Sequence, residues 1–165
     1  KHLRLLFTVL QKSKECIIRS NAIIALGDLC LLFPNLLDPW TPLLYHSLCD
    51  PEVVVRSYTL KVLSRLILSD MIKVKEQISD IAKLMVDEEE SISSFVRLFF
   101  TQLAKKQNAI YNILPDIISN LSDTKVGIDQ DNFRLIIKFL LELIDKDRHT
   151  IGLVEKLCQR YRGTM

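Results

Sequence analysis

A chain of 165 residues, 48% hydrophobic with only 4 Gly and 5 Pro, has the size and composition of one helix-rich domain that buries much of itself. Its 22 basic and 20 acidic residues leave a net charge of +2, so nucleic-acid binding would have to come from charge placement, not from total charge. No apolar run reaches the roughly 18 residues of a membrane span, because Asp28 interrupts the run from Ile23 to Phe33 and Lys138 and Glu142 interrupt that from Leu135 to Ile144.

In chain order, Lys1 opens an apolar-periodic stretch with no initiator Met and no signal-peptide pattern. The string Ser13-Lys-Glu-Cys-Ile-Ile-Arg19 returns as Asp50-Pro-Glu-Val-Val-Val-Arg56 at an offset of 37, and a further 37 brings Asp50 onto Asp87. Apolar columns follow the same offset: Ile18/Val55/Ile92, Ala25/Val62/Phe99, Leu26/Leu63/Phe100 and Leu29/Leu66/Leu103. A fixed period of this size marks an array in which each unit hides its apolar face only against its neighbours. Solenoids of this kind offer long surfaces to large partners and seldom hold a catalytic pocket.

Each unit reads as two antiparallel helices, A and B. The spacing predicts units at about 1–34, 35–69, 70–107 and 108–146, with a partial unit at 147–165, so the chain reads as a fragment of a longer array. Asp38-Pro39 predicts the start of the second helix A, running to about Leu48, and Asp50-Pro51 the start of helix B, running to about Leu68. The third helix A is expected over Met71 to Val86. Its helix B is expected after Asp87, with Glu90 completing a capping box. The fourth unit begins at Asn108, and its helix A matches the third at an offset of 36 (Val74/Ile110, Ile78/Leu114, Ile81/Ile117, Met85/Leu121). Pro115 lies inside that helix and is expected to bend it. A longer, exposed turn from Asp123 to Asp129 leads into helix B over Gln130 to Ile144, and Asp147 to Tyr161 forms a last helix. Paired helices at this period, a proline in helix A, an Asp at the turn and Val-Arg early in helix B describe an all-α solenoid of HEAT repeats.

Catalytic and metal chemistry find little support. His46 and Cys49 stand at i and i+3 on one helix, but no second pair stands at ligand spacing and zinc wants about four ligands. There is no G-x-S-x-G and no phosphate loop, and His2, His46 and His149 fall in separate units. No cofactor is implied. Helix capping accounts for the acidic run Asp87 to Glu90, Asn120-Leu121-Ser122 is a sequon without meaning in a chain that is not secreted, and Thr41-Pro42 reads as structural. Cys16, Cys30, Cys49 and Cys158 form no C-x-x-C pair. With Cys30 and Cys158 on apolar faces, they read as reduced, packed cysteines of an intracellular protein.

Arg19 and Arg56, just inside successive B helices, either point at a phosphate or form a structural ladder with the turn carboxylates Asp50 and Asp87. The ladder is the favoured reading. For binding DNA or a partner the candidates are Lys73 and Lys75, the pair Lys105-Lys106, and the group Lys156, Arg160 and Arg162. A solvated helix face is the alternative for each. Lys73 and Lys75, two residues apart, diverge by about 200° on a helix and do not share a face.

From Asn21 to Arg162 the chain resembles the HEAT-repeat D-type regulatory subunits of condensin, of the condensin I type. The resemblance rests on Asn21-Ala-Ile-Ile-Ala-Leu-Gly-Asp28, Phe33-Pro-Asn-Leu-Leu-Asp-Pro-Trp-Thr-Pro42, Leu66-Ile-Leu with Met71-Ile-Lys-Val-Lys75, the long string from Asn108 to Asp123, and Leu153-Val-Glu-Lys-Leu-Cys-Gln-Arg-Tyr-Arg162. Glu76 and Gln107 depart from it, each standing where Gly is expected. The resemblance implies a non-enzymatic scaffold that binds the kleisin and SMC ATPase subunits and helps engage duplex DNA in mitotic chromosome condensation. It implies a place in the nucleus and on chromosomes, with cytoplasm in interphase, and no membrane or small-molecule substrate. The alternatives are the D-type subunit of condensin II and, from another class, a transport-receptor or adaptor array that binds peptides.

Overall fold

The computed structural model describes residues 2–73, 77–106, 108–123, 128–144 and 147–162, and among them every regular element is helical. Helix α1 (His2–Lys12) pairs with α2 (Cys16–Leu32). A short α3 (Pro34–Leu37), a 3₁₀ turn (Asp38–Trp40), α4 (Thr41–His46) and a second 3₁₀ turn (Ser47–Cys49) lead to α5 (Val53–Leu68). Then come α6 (Ile78–Lys83) with the 3₁₀ turn Leu84–Val86, α7 (Glu90–Ala104), α8 (Ala109–Leu121), α9 (Gln130–Glu142) and α10 (Asp147–Tyr161). The long B helices stack in sequence, α2 on α5 and α5 on α7, while the A side joins α6 to α8 and α8 to α10.

One continuous apolar seam runs through this stack. Leu26, Leu63 and Phe100, which share a repeat position, are all fully buried, as are Leu66 and Leu103 one turn on. Ile78, Ile81 and Met85 of the third unit and Leu114, Ile117 and Leu121 of the fourth are buried likewise, and α8 continues past the buried Pro115. The column Ile18/Val55/Ile92 is not uniform: Val55 and Ile92 are buried, whereas Ile18 is half exposed.

Gly27 decides how closely the first two B helices approach. A β-carbon there would stand 2.6 Å from Val62 Cγ1, inside van der Waals contact. At the outer edge, Phe7 stacks on Trp40 with ring centres 4.9 Å apart and fastens α1 to the turn before α4.

Several local expectations give way to tertiary context. The second helix A is divided into 3₁₀ and α pieces: Pro39 and Pro42 withhold amide donors at its start, and its last turn, Ser47–Cys49, tightens to 3₁₀ as Leu84–Val86 does one repeat on. Regular helix in the third unit begins at Ile78, not Met71, and positions 74–76 lie outside the described residues. Before it, α5 ends in a Schellman motif: Met71 N–H donates to the Leu66 carbonyl and Asp70 N–H to the Ile67 carbonyl, with Asp70 left-handed at φ 57°. Asp50 and Asp87 do not cap their helices. Glu52 and Glu89 occupy the N-cap positions, and the box between Asp87 and Glu90 does not form. Asp129 does cap, accepting from the Asp131 and Asn132 amides, and these bonds hold its carboxyl below the usual range.

Cys30 is buried, but Cys49 and Cys158 are exposed and Cys16 is half-buried. The packed reading is therefore corrected for both Cys49 and Cys158, which are exposed, whereas Leu153 of the helix that carries Cys158 is buried. Among the described residues, no helix is long and apolar enough to cross a membrane.

Candidate functional site

The two arginines that recur with the repeat make the same set of bonds one unit apart. Arg19 Nε and Nη2 each donate to a different oxygen of Asp50 at 2.8 Å, and Nη1 donates to the Ser13 and Lys14 carbonyls at 3.0 Å. Arg56 donates in the same way to Asp87 at 3.0 Å, and to the carbonyls of Asp50 and Pro51 at 3.0 and 3.1 Å. Each aspartate also accepts an amide two residues on: Glu52 N–H at 3.0 Å and Glu89 N–H at 2.9 Å. The same turn occurs in the first unit, where Glu15 N–H donates to Ser13 Oγ and Glu15 stands at the N-cap, so the residue two before each N-cap closes this turn whether or not an arginine grips it. The hydrogen bonds to Asp50 hold the Arg19 guanidinium in its charged form. With three of their nitrogens engaged and their side chains largely buried, these arginines are spent on stacking.

The ladder ends after two rungs. The position one repeat beyond Arg56 is Ser93, whose hydroxyl donates to the Glu90 carbonyl of its own helix. The fourth unit is held differently, by Arg97 over the Phe139 ring at 5.3 Å and by Asn120 Nδ2 donating to Ser79 Oγ at 3.2 Å.

The basic candidates separate by what they touch. Lys106 Nζ donates to Asp70 Oδ1 at 2.6 Å and to the Ile67 carbonyl at 3.4 Å, so its charge sits on the C-terminal end of α5, where the helix dipole favours a cation. That contact brings the turn after α5, which carries the exposed Lys73, beside the turn after α7, which carries the exposed Lys105. Lys156 lies 3.9 Å from the centre of the Tyr111 ring, and a β-carbon on Gly152 would meet the Tyr111 hydroxyl at 2.7 Å. Lys156 thus fastens α10 to α8 by a cation–π contact. Arg162 is exposed, and Lys75 and the Arg160 side chain lie outside the described residues. Sequence spacing had not shown that the turns after α5 and α7 meet, because the connection runs through Asp70 and Lys106, 36 positions apart.

His46 and Cys49 line an open cleft of about 480 Å³ with Arg19 and Asp50. Among the described residues, no three His, Cys, Asp or Glu side chains converge as a metal site.

The family model described as non-SMC mitotic condensation complex subunit 1 matches residues 17–165. The chain belongs to this family. It is 53% identical to condensin complex subunit 1 of Xenopus laevis over 98% of this chain and 12% of that protein. It is 54% identical to condensin complex subunit 1 of Homo sapiens over 97% of the chain and 11% of the relative. It is also 46% identical to condensin-1 complex subunit CAP-D2 of Arabidopsis thaliana over 98% and 11%. The chain therefore spans only about an eighth of the length of these relatives, and its helices are the family's fold over that stretch.

Proposed function

We propose that the chain is a segment of a condensin I regulatory subunit and serves there as a non-enzymatic scaffold that binds the kleisin and SMC subunits and helps engage DNA on mitotic chromosomes. Its site of action is then the nucleus and chromosomes, with cytoplasm in interphase. The observation that carries this reading is the family match over 17–165, along a stack held in register by the Arg19–Asp50 and Arg56–Asp87 pairs. Such clamps suit a part that transmits position between large partners. Condensin I is favoured over condensin II by the condensin-1 name of the Arabidopsis relative.

For DNA, the edge bearing Lys73 and Lys105 is the best supported contact, because both side chains are exposed whereas Lys106 and Lys156 are occupied by Asp70 and Tyr111. The test is a Lys73→Glu/Lys105→Glu variant of the full-length protein, titrated with duplex DNA at several salt concentrations. Removing one phosphate-binding cation lowers the slope of log K against log salt by about 0.9, uniformly across sequences. An unchanged slope with abolished SMC or kleisin pull-down rejects the DNA role and keeps the scaffold. No measurable duplex-DNA affinity in the unsubstituted protein, and no SMC or kleisin co-purifying, rejects the condensin reading and favours a peptide-binding adaptor.

A further inference from the structure

The joint between the third and fourth units is built unlike the two before it. On each B helix, one row of positions related by the offset of 37 faces the next unit. Arg19, Arg56 and Ser93 share the first place in that row. One turn on come Ile23, Leu60 and Arg97, and a turn later Gly27, Ser64 and Thr101. Contacts fix the direction of the row: Arg19 and Arg56 reach Asp50 and Asp87, Gly27 meets Val62, and Arg97 lies over Phe139. In the first two joints the row is closed. Ile23, Gly27, Leu60 and Ser64 are buried, and each arginine grips both oxygens of a carboxylate.

In the third joint all three places change. Thr101 is exposed, and Ser93 and Arg97 are half-buried. Ser93 Oγ and Thr101 Oγ1 donate to the Glu90 and Arg97 carbonyls of their own helix, so these bonds do not cross the joint. The seat position recurs as Asp123, at the offset of 36 that relates α8 to α6, whereas the arginine does not recur. Packing follows the same order: α2 lies most extensively against α5, α5 less against α7, and α7 least against α9. Helix α9 packs instead on α8 and on the 3₁₀ turn Leu84–Val86. On the A side the seam stays closed, with Ile78, Ile81, Leu114 and Ile117 buried and Asn120 bonded to Ser79.

We infer that this joint is a hinge built into the array. Units one to three move as one clamped block, and α8 with α9 rocks about the buried seam between α6 and α8, changing the gap between α7 and α9. A packed apolar seam on one side and a polar, half-solvated face on the other suit such rotation. The polar groups exchange protein contacts for water at small net cost, while the seam keeps its apolar contacts. Arg97 is the latch, one long side chain reaching across the gap to the Phe139 ring. This inference does not rest on the condensin reading, because it uses only contacts between units.

The test compares two distance distributions in the full-length protein, read by double electron–electron resonance. Nitroxides are attached through a ketone-bearing amino acid at the second residue of each B helix, all four positions being exposed. Ile17 with Ser91 spans the two clamped joints, and Val54 with Asp131 spans one clamped joint and the hinge. Each pair covers two helix spacings, about 20 Å. The second distribution is expected to be roughly twice as wide as the first. Arg97→Ala, with unchanged thermal unfolding, is expected to widen the second further and leave the first as it was. Equal widths for the two pairs, with Arg97 in place, overturn the hinge. So does an Arg97→Ala variant that widens the first pair as much as the second, which would make the looseness a property of the whole array.

Discussion

Arg56 reaches out of its own unit to grip both carboxylate oxygens of Asp87 at 3.0 Å, while its third nitrogen holds the carbonyls of Asp50 and Pro51. Asp50 is itself the acceptor for Arg19, so each turn is both a foot for one rung and a seat for the next. Breaking one partner of a largely buried pair strands the other charge. Asp87→Ala is expected to lower stability by about 3 kcal/mol in urea unfolding, and Arg56→Lys by less, because it keeps the charge but loses the fork. A double-mutant cycle should give a coupling above about 1 kcal/mol. Additive losses would show that the pair contributes nothing beyond its separate parts.

Leu63 and Leu66 lie in the seam between units and are almost inaccessible. Truncating either to Ala should cost about 2–5 kcal/mol, from reduced burial plus the cavity left in a stack that cannot collapse around it. Denaturant unfolding of each variant measures this, and a loss under about half a kcal/mol would contradict the seam.

Gly27 is kept by Val62, not by backbone conformation. Gly27→Ala raises helix propensity but drives a methyl to 2.6 Å from Val62 Cγ1. Overpacking should win, with a net loss of about 1–2 kcal/mol. Val62→Ala in the same chain should relieve the clash, so that Gly27→Ala becomes neutral or stabilising in that background. Thermal unfolding of the four proteins of the cycle reads the sign.

Burial pushes the Cys30 thiol up from its ordinary 9.0 to about 11. The folded pKa lies above the unfolded one, so the stability from the neutral thiol is complete below pH 9 and declines as pH rises toward 11, where the unfolded chain releases its proton first. Cys30→Ala should flatten that part of the pH–stability curve. In the folded protein, iodoacetamide should modify the exposed Cys49 and Cys158, and Cys30 only on unfolding.

The sequence by itself determined the all-α repeat and its apolar columns, because a period of 37 puts the same residue types at the same turn of each helix and burial follows that phase. Leu26, Leu63 and Phe100 are buried together for this reason. The sequence also showed Arg19, Arg56, Asp50 and Asp87 in positions to pair. Only the tertiary structure decided that the aspartates serve the neighbouring unit, since the partner arginine lies 31 positions away and the fork supplies charge-assisted bonds beside the local turn that each carboxylate also closes. It alone decided that Lys106 and Lys156 are occupied, because Asp70 and Tyr111 are 36 and 45 positions away and no local pattern links them. Ile18 marks the limit of periodicity: the repeat gives each position its phase, but Ile18 is half exposed where Val55 and Ile92 are buried, so the packing around each position decides its burial.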